Sequence, residues 1–256
     1  MEFIDTHCHL NDPVYDPDRE QVIAGALGAG VGVMLQADID SRERASMFAL
    51  VDSHPRVLRP MIGLYPGSVT RDWEQELSAL EPWLERKDIV AVGEIGLDYH
   101  YGDEFKREQK AALRAQFELA SRLGLPVNIH LRDATGDFFD VLDDCRHLGL
   151  RGNLHAFSGS WETFVRLQKY GDWSIGVGGV VTFKKAALPE VVARVPMDRI
   201  LLETDAPYLS PTPFRGTRND SSRIPLIAAK IAEIKGLDLE EVAAVTTANA
   251  VKLFGL

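Results

Sequence analysis

The sequence predicts an α/β fold: a (β/α)8 TIM barrel with additional C-terminal helices. Two observations carry that prediction. Short β-rich runs alternate with longer stretches of helical period along all 256 residues, and side chains able to ligate a metal stand where several of those runs end. The length suits one barrel, so residues 1–256 are read as a single barrel domain.

Strand one spans 2–6 and leads into His7-Cys8-His9. Side chains two apart on a strand share a face, so both imidazoles point one way while Thr6 and Cys8 point the other. Further strands are expected at 32–36, 57–63, 89–93, 127–129, 152–154, 173–177 and 200–203. Between them, apolar residues at spacings of three and four mark helical stretches such as 19–27, 41–51, 73–85, 105–123, 136–147 and 161–170. Strand-helix alternation implies parallel pairing through right-handed crossovers. A doubly wound sheet would carry Gly-x-Gly-x-x-Gly after strand one, and this chain carries histidines there instead. Residues 207–225, rich in Pro, Ser, Arg and Thr, follow strand eight directly and read as a functional loop, not a domain boundary. Helices at 224–235 and 239–254 should pack on the outside of the barrel.

With 45% hydrophobic and 26% charged residues the chain can build a sizeable core and is not disordered. A net charge of -10 and a pI near 5.2 exclude a broad basic face that coats nucleic acid, though not a local cationic site. Two cysteines, Cys8 and Cys145, make a disulfide framework improbable and fit a reducing compartment. There is no basic segment followed by an apolar one near residue 1, and no apolar run long enough to span a bilayer. A cytoplasmic protein with no membrane partner and no obligate protein partner is expected.

Catalytic groups of this fold sit at the C-terminal ends of strands. His7 and His9 end strand one, Glu94 strand four, His130 strand five, His155 strand six and Asp205 strand eight. Four imidazoles and two carboxylates exceed the needs of one tetrahedral ion. They suit two divalent ions about 3.5–4 Å apart, bridged by a carboxylate, with Glu94 as the natural bridge. Such a site keeps about two positive charges after ligation, which reconciles an acidic protein with an anionic substrate. Nitrogen and oxygen donors accept magnesium, manganese or zinc, with magnesium expected in use. His54 reads as a loop residue and His147 as a surface group near a helix end, while His100 is expected to be solvent-exposed. Asp5 and Asp98 are candidates for orienting the ligand imidazoles.

Asp-Thr-His-Cys-His-Leu at 5–10, Gly-Glu-Ile-Gly-Leu-Asp-Tyr at 93–99, Ile-His-Leu-Arg-Asp-Ala at 129–134, His-Ala-Phe-Ser-Gly at 155–159 and Glu-Thr-Asp-Ala-Pro-Tyr-Leu at 203–209 resemble the TatD family of metal-dependent deoxyribonucleases, within the amidohydrolase superfamily. The run 176–183 and the close at 247–255 are similar to the family as well. This resemblance implies divalent metals and hydrolysis of DNA, commonly inward from a 3′ end. Position by position it implies one metal on His7, His9, Glu94 and Asp205, and another on Glu94, His130 and His155. For the substrate, Arg132 lies two residues past a ligand, and Arg215 and Arg218 occupy the loop after strand eight, where arginine forks match phosphate oxygens. Two departures bear on substrate preference. Tyr65 in Gly63-Leu64-Tyr65-Pro66 stands where many members have histidine, and still offers a hydrogen bond or a stacking face. Thr217 in Arg215-Gly216-Thr217-Arg218 removes a cation.

The expected reaction is cleavage of DNA phosphodiester bonds by a 3′-to-5′ exodeoxyribonuclease in which Asp205 takes the proton of a metal-activated water. The alternative is an amidohydrolase-type enzyme acting on an ester, amide or lactone, for example in aminoacyl deacylation. A rival of another class is a metal-bound binding module without turnover.

Overall fold

The computed structural model describes residues 2–256. Eight strands form one sheet in the order β1 to β8: Phe3–Cys8, Val31–Gln36, Leu58–Ile62, Ala91–Asp98, Val127–Arg132, Gly152–Leu154, Trp173–Val177 and Ile200–Leu202. Every neighbouring pair in that order is parallel. The barrel closes between β1 and the residues just past β8, where the Asp205 N–H donates to His7 O at 2.9 Å and the His9 N–H donates to Ala206 O at 2.8 Å. Closure therefore falls on three proposed ligands.

Helices α1 (Arg19–Gly28), α2 (Ser41–Ser53), α3 (Trp73–Ser78), α4 (Lys106–Leu123), α5 (Thr135–Asp144), α6 (Trp161–Leu167) and α7 (Leu188–Arg194) lie between strands, and α8 (Ile224–Lys235) and α9 (Leu239–Phe254) follow them. In α4 the buried residues Leu113, Phe117 and Ala120 recur at helical spacing, and Gly124 ends the helix with a φ of 67° that costs glycine little. Asp40 caps α2 and Ser160 caps α6. The helices press onto strands whose side chains are almost wholly buried, with Trp173, Phe117, Phe138 and Phe139 at the centre of the largest apolar cluster. No helix among the described residues is long and apolar enough to cross a membrane.

Several expected boundaries are corrected. Strands β4 and β5 run past Glu94 and His130, which lie inside them, because the two strands stay paired from Ile95↔Ile129 to Asp98↔Arg132. The expected helix 73–85 stops at Ser78 and resumes as a 3-10 turn at Glu81–Trp83, where Pro82 lacks the N–H that an α-helix needs. The stretches 136–147 and 161–170 likewise end in 3-10 turns, Arg146–Leu148 and Gln168–Tyr170. Helix α7, seven residues with Pro189 in its first turn, was not anticipated.

Gly96 shows how tightly β4 and β5 approach. Its φ is 148°, and a Cβ added there would run into the carbonyl of His130. Gly96→Ala is expected to destabilise the protein by at least about 3 kcal/mol, because backbone must move to admit the methyl group. Urea denaturation with an unchanged midpoint would contradict this.

Candidate metal centre

The mouth at the C-terminal ends of the strands gathers the proposed ligands. His7 Nε2 lies 3.1 Å from His9 Nε2 and 3.3 Å from Glu94 Oε2, and Asp205 Oδ1 is 3.6 Å from both imidazole nitrogens. On the other side of Glu94, Oε1 lies 2.9 Å from His130 Nδ1 and 2.8 Å from His155 Nε2, and those two nitrogens are 3.3 Å apart. Separations of this size match the edges of coordination polyhedra with bonds near 2.1 Å, about 3.0 Å for an octahedron and about 3.4 Å for a tetrahedron. The donors group as His7, His9 and Glu94, as Glu94, His130 and His155, and as His7, His155 and Asp205.

The far side of three imidazoles settles which nitrogen points inward. His7 Nδ1–H donates to Asn128 Oδ1 at 2.8 Å, His9 Nδ1–H to Ala37 O at 3.2 Å, and His130 Nε2–H to Asp98 Oδ2 at 2.9 Å. Each bond places the proton on the outer nitrogen and leaves a lone pair facing the centre. Lone pairs this close repel one another unless protons or cations lie between them. The donor set therefore fits divalent metal.

Charge follows from burial and neighbours. Burial opposes ionisation of Glu94, but the adjacent His155, His7 and His130 outweigh it and hold the carboxyl well below its usual range. Asp205 is lowered in the same way, against burial, by His9, His155 and His7. Burial, reinforced by His7, pushes His155 down to about 4, so its ring is neutral at physiological pH. Burial works against a charge on His130 too, yet Asp98 and Glu94 raise it to about 9. His7 is also raised, by Glu94 and Asp205 acting against burial. Metal-free protein therefore holds protons where metal would bind.

A pH dependence follows. His130 keeps its proton below about 9, ligation requires the neutral ring, and so metal affinity falls as pH drops through that value. Loading the enzyme at pH 7 should release at least part of a proton. Calorimetry in two buffers of different ionisation heat measures it, and identical heats in both would contradict the reading.

The backbone around the ligands is strained. Asp205 (φ 55°), Ala156 (φ 42°) and Asp133 (φ 54°) take left-handed conformations within three residues of a strand end, at about 1–3 kcal/mol each. Asp5 helps hold that geometry by accepting from the Thr204 N–H at 3.0 Å and from the Thr204 hydroxyl at 2.5 Å, so it braces the chain ahead of Asp205 and contacts no imidazole. Asp98 does orient a ring, that of His130.

The family model described as "TatD related DNase" matches residues 4–255. The chain belongs to this family. It is 38% identical to the uncharacterized metal-dependent hydrolase YabD of Bacillus subtilis over 98% of each chain. It is 33% identical to a protein of Pantoea ananatis named 3′-5′ ssDNA/RNA exonuclease TatD, over 98% of this chain and 99% of that one. The crystal structure of YjjV, a TatD homologue from Escherichia coli K12, superposes with a TM-score of 0.89 at 31% identity, covering 99% of this chain and 98% of that one. The TatD-family chain is thus a metal-dependent hydrolase on a (β/α)8 TIM barrel, with a His/Glu/Asp cluster able to bind metal.

Above the ligands of this TatD-family hydrolase opens a cavity of about 650 Å³. Of the expected substrate contacts, Arg132 and Tyr65 line it, and the Tyr65 ring stands edge-on to His130 with centroids 5.1 Å apart. Arg215 and Arg218 do not line it. The Arg218 guanidinium forms a two-pronged pair with Asp18 at 2.8 and 2.6 Å and lies over the Tyr15 ring. Arg215 is exposed and stacks on Phe183, 4.1 Å from the ring centroid. Asn219, in the same loop, is buried and ties the loop to Thr204 and Tyr208. His100 is exposed, as expected, and pairs with Asp133. Reading the sequence missed Asn128, which faces His7 from across the barrel, and Tyr101 and Tyr208 in the cavity lining. The only available signal was position: Asn128 precedes His130 by two, and the two tyrosines follow strands.

Proposed function

We propose that this TatD-family chain is a DNA-cleaving nuclease that works inward from a 3′ end with two divalent ions, magnesium being the ion in use. The whole chain acts as one hydrolase unit in this reading. One observation carries it: the two oxygens of Glu94 face different imidazole pairs, Oε2 towards His7 and His9 and Oε1 towards His130 and His155. A carboxylate so placed suits a bridge between two ions, with Asp205 completing the His7 and His9 side. The Pantoea relative's name supports a nucleic-acid substrate.

Divalent ions held by these residues would polarise a phosphoryl oxygen and acidify a water. Asp205, held ionised and at the cavity floor, accepts the proton of the attacking water. The water oxygen forms a new bond to phosphorus as the ester P–O bond on the opposite side breaks, and the departing oxygen is protonated from solvent. Arg132, exposed and unpaired with any carboxylate among the described residues, offers a fork to the non-bridging oxygens. Tyr65 adds a hydroxyl beside Asp98.

The test uses chelator-treated enzyme reloaded with magnesium, manganese or zinc in turn and offered a 5′-labelled single strand of DNA or RNA. Stepwise shortening from the 3′ end that needs added ion is expected, with DNA cut in preference. Hydrolysis of an aminoacyl ester or a lactone, with both strands left intact under every ion, would overturn the nuclease reading.

A further inference from the structure

Exposed large hydrophobic side chains are few here, and most are isolated aliphatics such as Val14, Leu27 and Val251. Among the described residues the exposed large aromatics are Tyr101, 84% accessible, and Tyr208, 53% accessible, and both line the cavity over the metal ligands. Their positions differ in a useful way. Tyr101 follows β4 and Tyr208 follows β8, strands that stand four apart in the eight-membered order and so lie on opposite sides of the mouth.

Both rings are positioned from behind. Arg132 lies over the Tyr101 ring, 5.5 Å from its centroid, and His100 meets it edge-on at 4.9 Å. His100 is itself held by Asp133 at 3.0 Å. Tyr208 stands edge-on to His9 with centroids 6.3 Å apart, next to the exposed Leu209, whose φ of 53° turns the chain at the rim. An aromatic face left in water at the entrance of a cavity has no packing role, and a flat apolar partner would remove it from water. Nucleobases are such partners, and stacking accepts any of them.

On the footing of the nuclease reading above, we propose that Tyr101 and Tyr208 form a two-sided clamp for single-stranded nucleic acid, each stacking on one of the two bases that flank the scissile phosphodiester. The bond between those bases is then centred over Glu94 and Asp205. Recognition by stacking predicts tolerance of sequence and a requirement for unpaired bases, because both faces of a paired base are already covered by its neighbours.

The experiment replaces one base at a time by an abasic site, on either side of the bond to be cut, and measures kcat/KM with metal-loaded wild type, Tyr101→Ala, Tyr208→Ala and Tyr101→Trp. Wild type should lose about tenfold for each missing base. Tyr101→Ala should erase the dependence at one position and Tyr208→Ala at the other, while Tyr101→Trp keeps it. A second readout does not depend on turnover rate: 2-aminopurine at the position assigned to Tyr101 should be quenched before cleavage by wild type and not by Tyr101→Ala. A nuclease whose base dependence is unchanged in both alanine variants, or lost at the same position in both, overturns the clamp and leaves the nuclease reading intact. A wild type that neither binds nor cuts the strands overturns both.

Discussion

Replacing Glu94 by Gln is expected to reduce metal-dependent turnover by at least about 10³-fold in a protein that remains folded, on the scale of losing a principal electrostatic stabiliser. The amide keeps one oxygen and turns the other into an NH2 group, which has no lone pair for a metal. One of the two imidazole pairs then loses its shared donor, whichever way the amide is turned. The negative charge that counters His7 and His130 disappears as well. Because glutamine is nearly isosteric with the buried Glu94, circular dichroism should match wild type. Metal content per chain should fall alongside activity. Full metal content with full turnover would remove Glu94 from the centre.

The second large effect concerns stability. Arg44 and Asp38 are both buried and paired at 2.7 Å, Arg44 also donates to Ala79 O at 3.2 Å and Gly63 O at 3.4 Å, and Asp38 accepts from the Gly63 N–H at 3.1 Å. The main chain of Asp38 also receives the Glu94 N–H at 3.1 Å, so the pair braces the strand that carries Glu94. Arg44→Met removes the cation and leaves a buried carboxylate uncompensated, which costs about 3–5 kcal/mol. For a chain of this size that lowers Tm by about 6–20 °C. The double variant Arg44→Met with Asp38→Leu should recover part of the loss, since no unpaired charge remains. A single variant as stable as wild type would show that the pair is dispensable.

These two sites differ in how far the sequence reveals them. Glu94 follows an apolar run, as His130 follows Val-Asn-Ile, so their residue type and order announce a centre even though both lie within strands and not at their ends. A polar residue usually terminates a buried run, which is why the sequence places the strand ends too early. Here the polar side chains point into the barrel mouth, so β4 and β5 continue past them. Arg44 gave no such signal: an arginine in an amphipathic helix reads as a solvated face, and only Asp38, Gly63 and Ala79 around it make it core. Arg218 shows the reverse. In a basic loop after strand eight it suggests phosphate, until Asp18, 200 positions away, is seen to hold it.

Residue types, their order and the hydrophobic period were therefore enough to indicate the barrel, the family and the residues of a His/Glu/Asp cluster able to bind metal, because each is encoded over a few neighbouring positions. Tertiary structure alone decided which nitrogen of each imidazole faces inward, which arginine remains free at the cavity, and which tyrosines stand at its rim. Those outcomes depend on Asn128, Asp98, Asp18 and the strand order, partners brought together by chain closure from positions too distant for any local pattern to register.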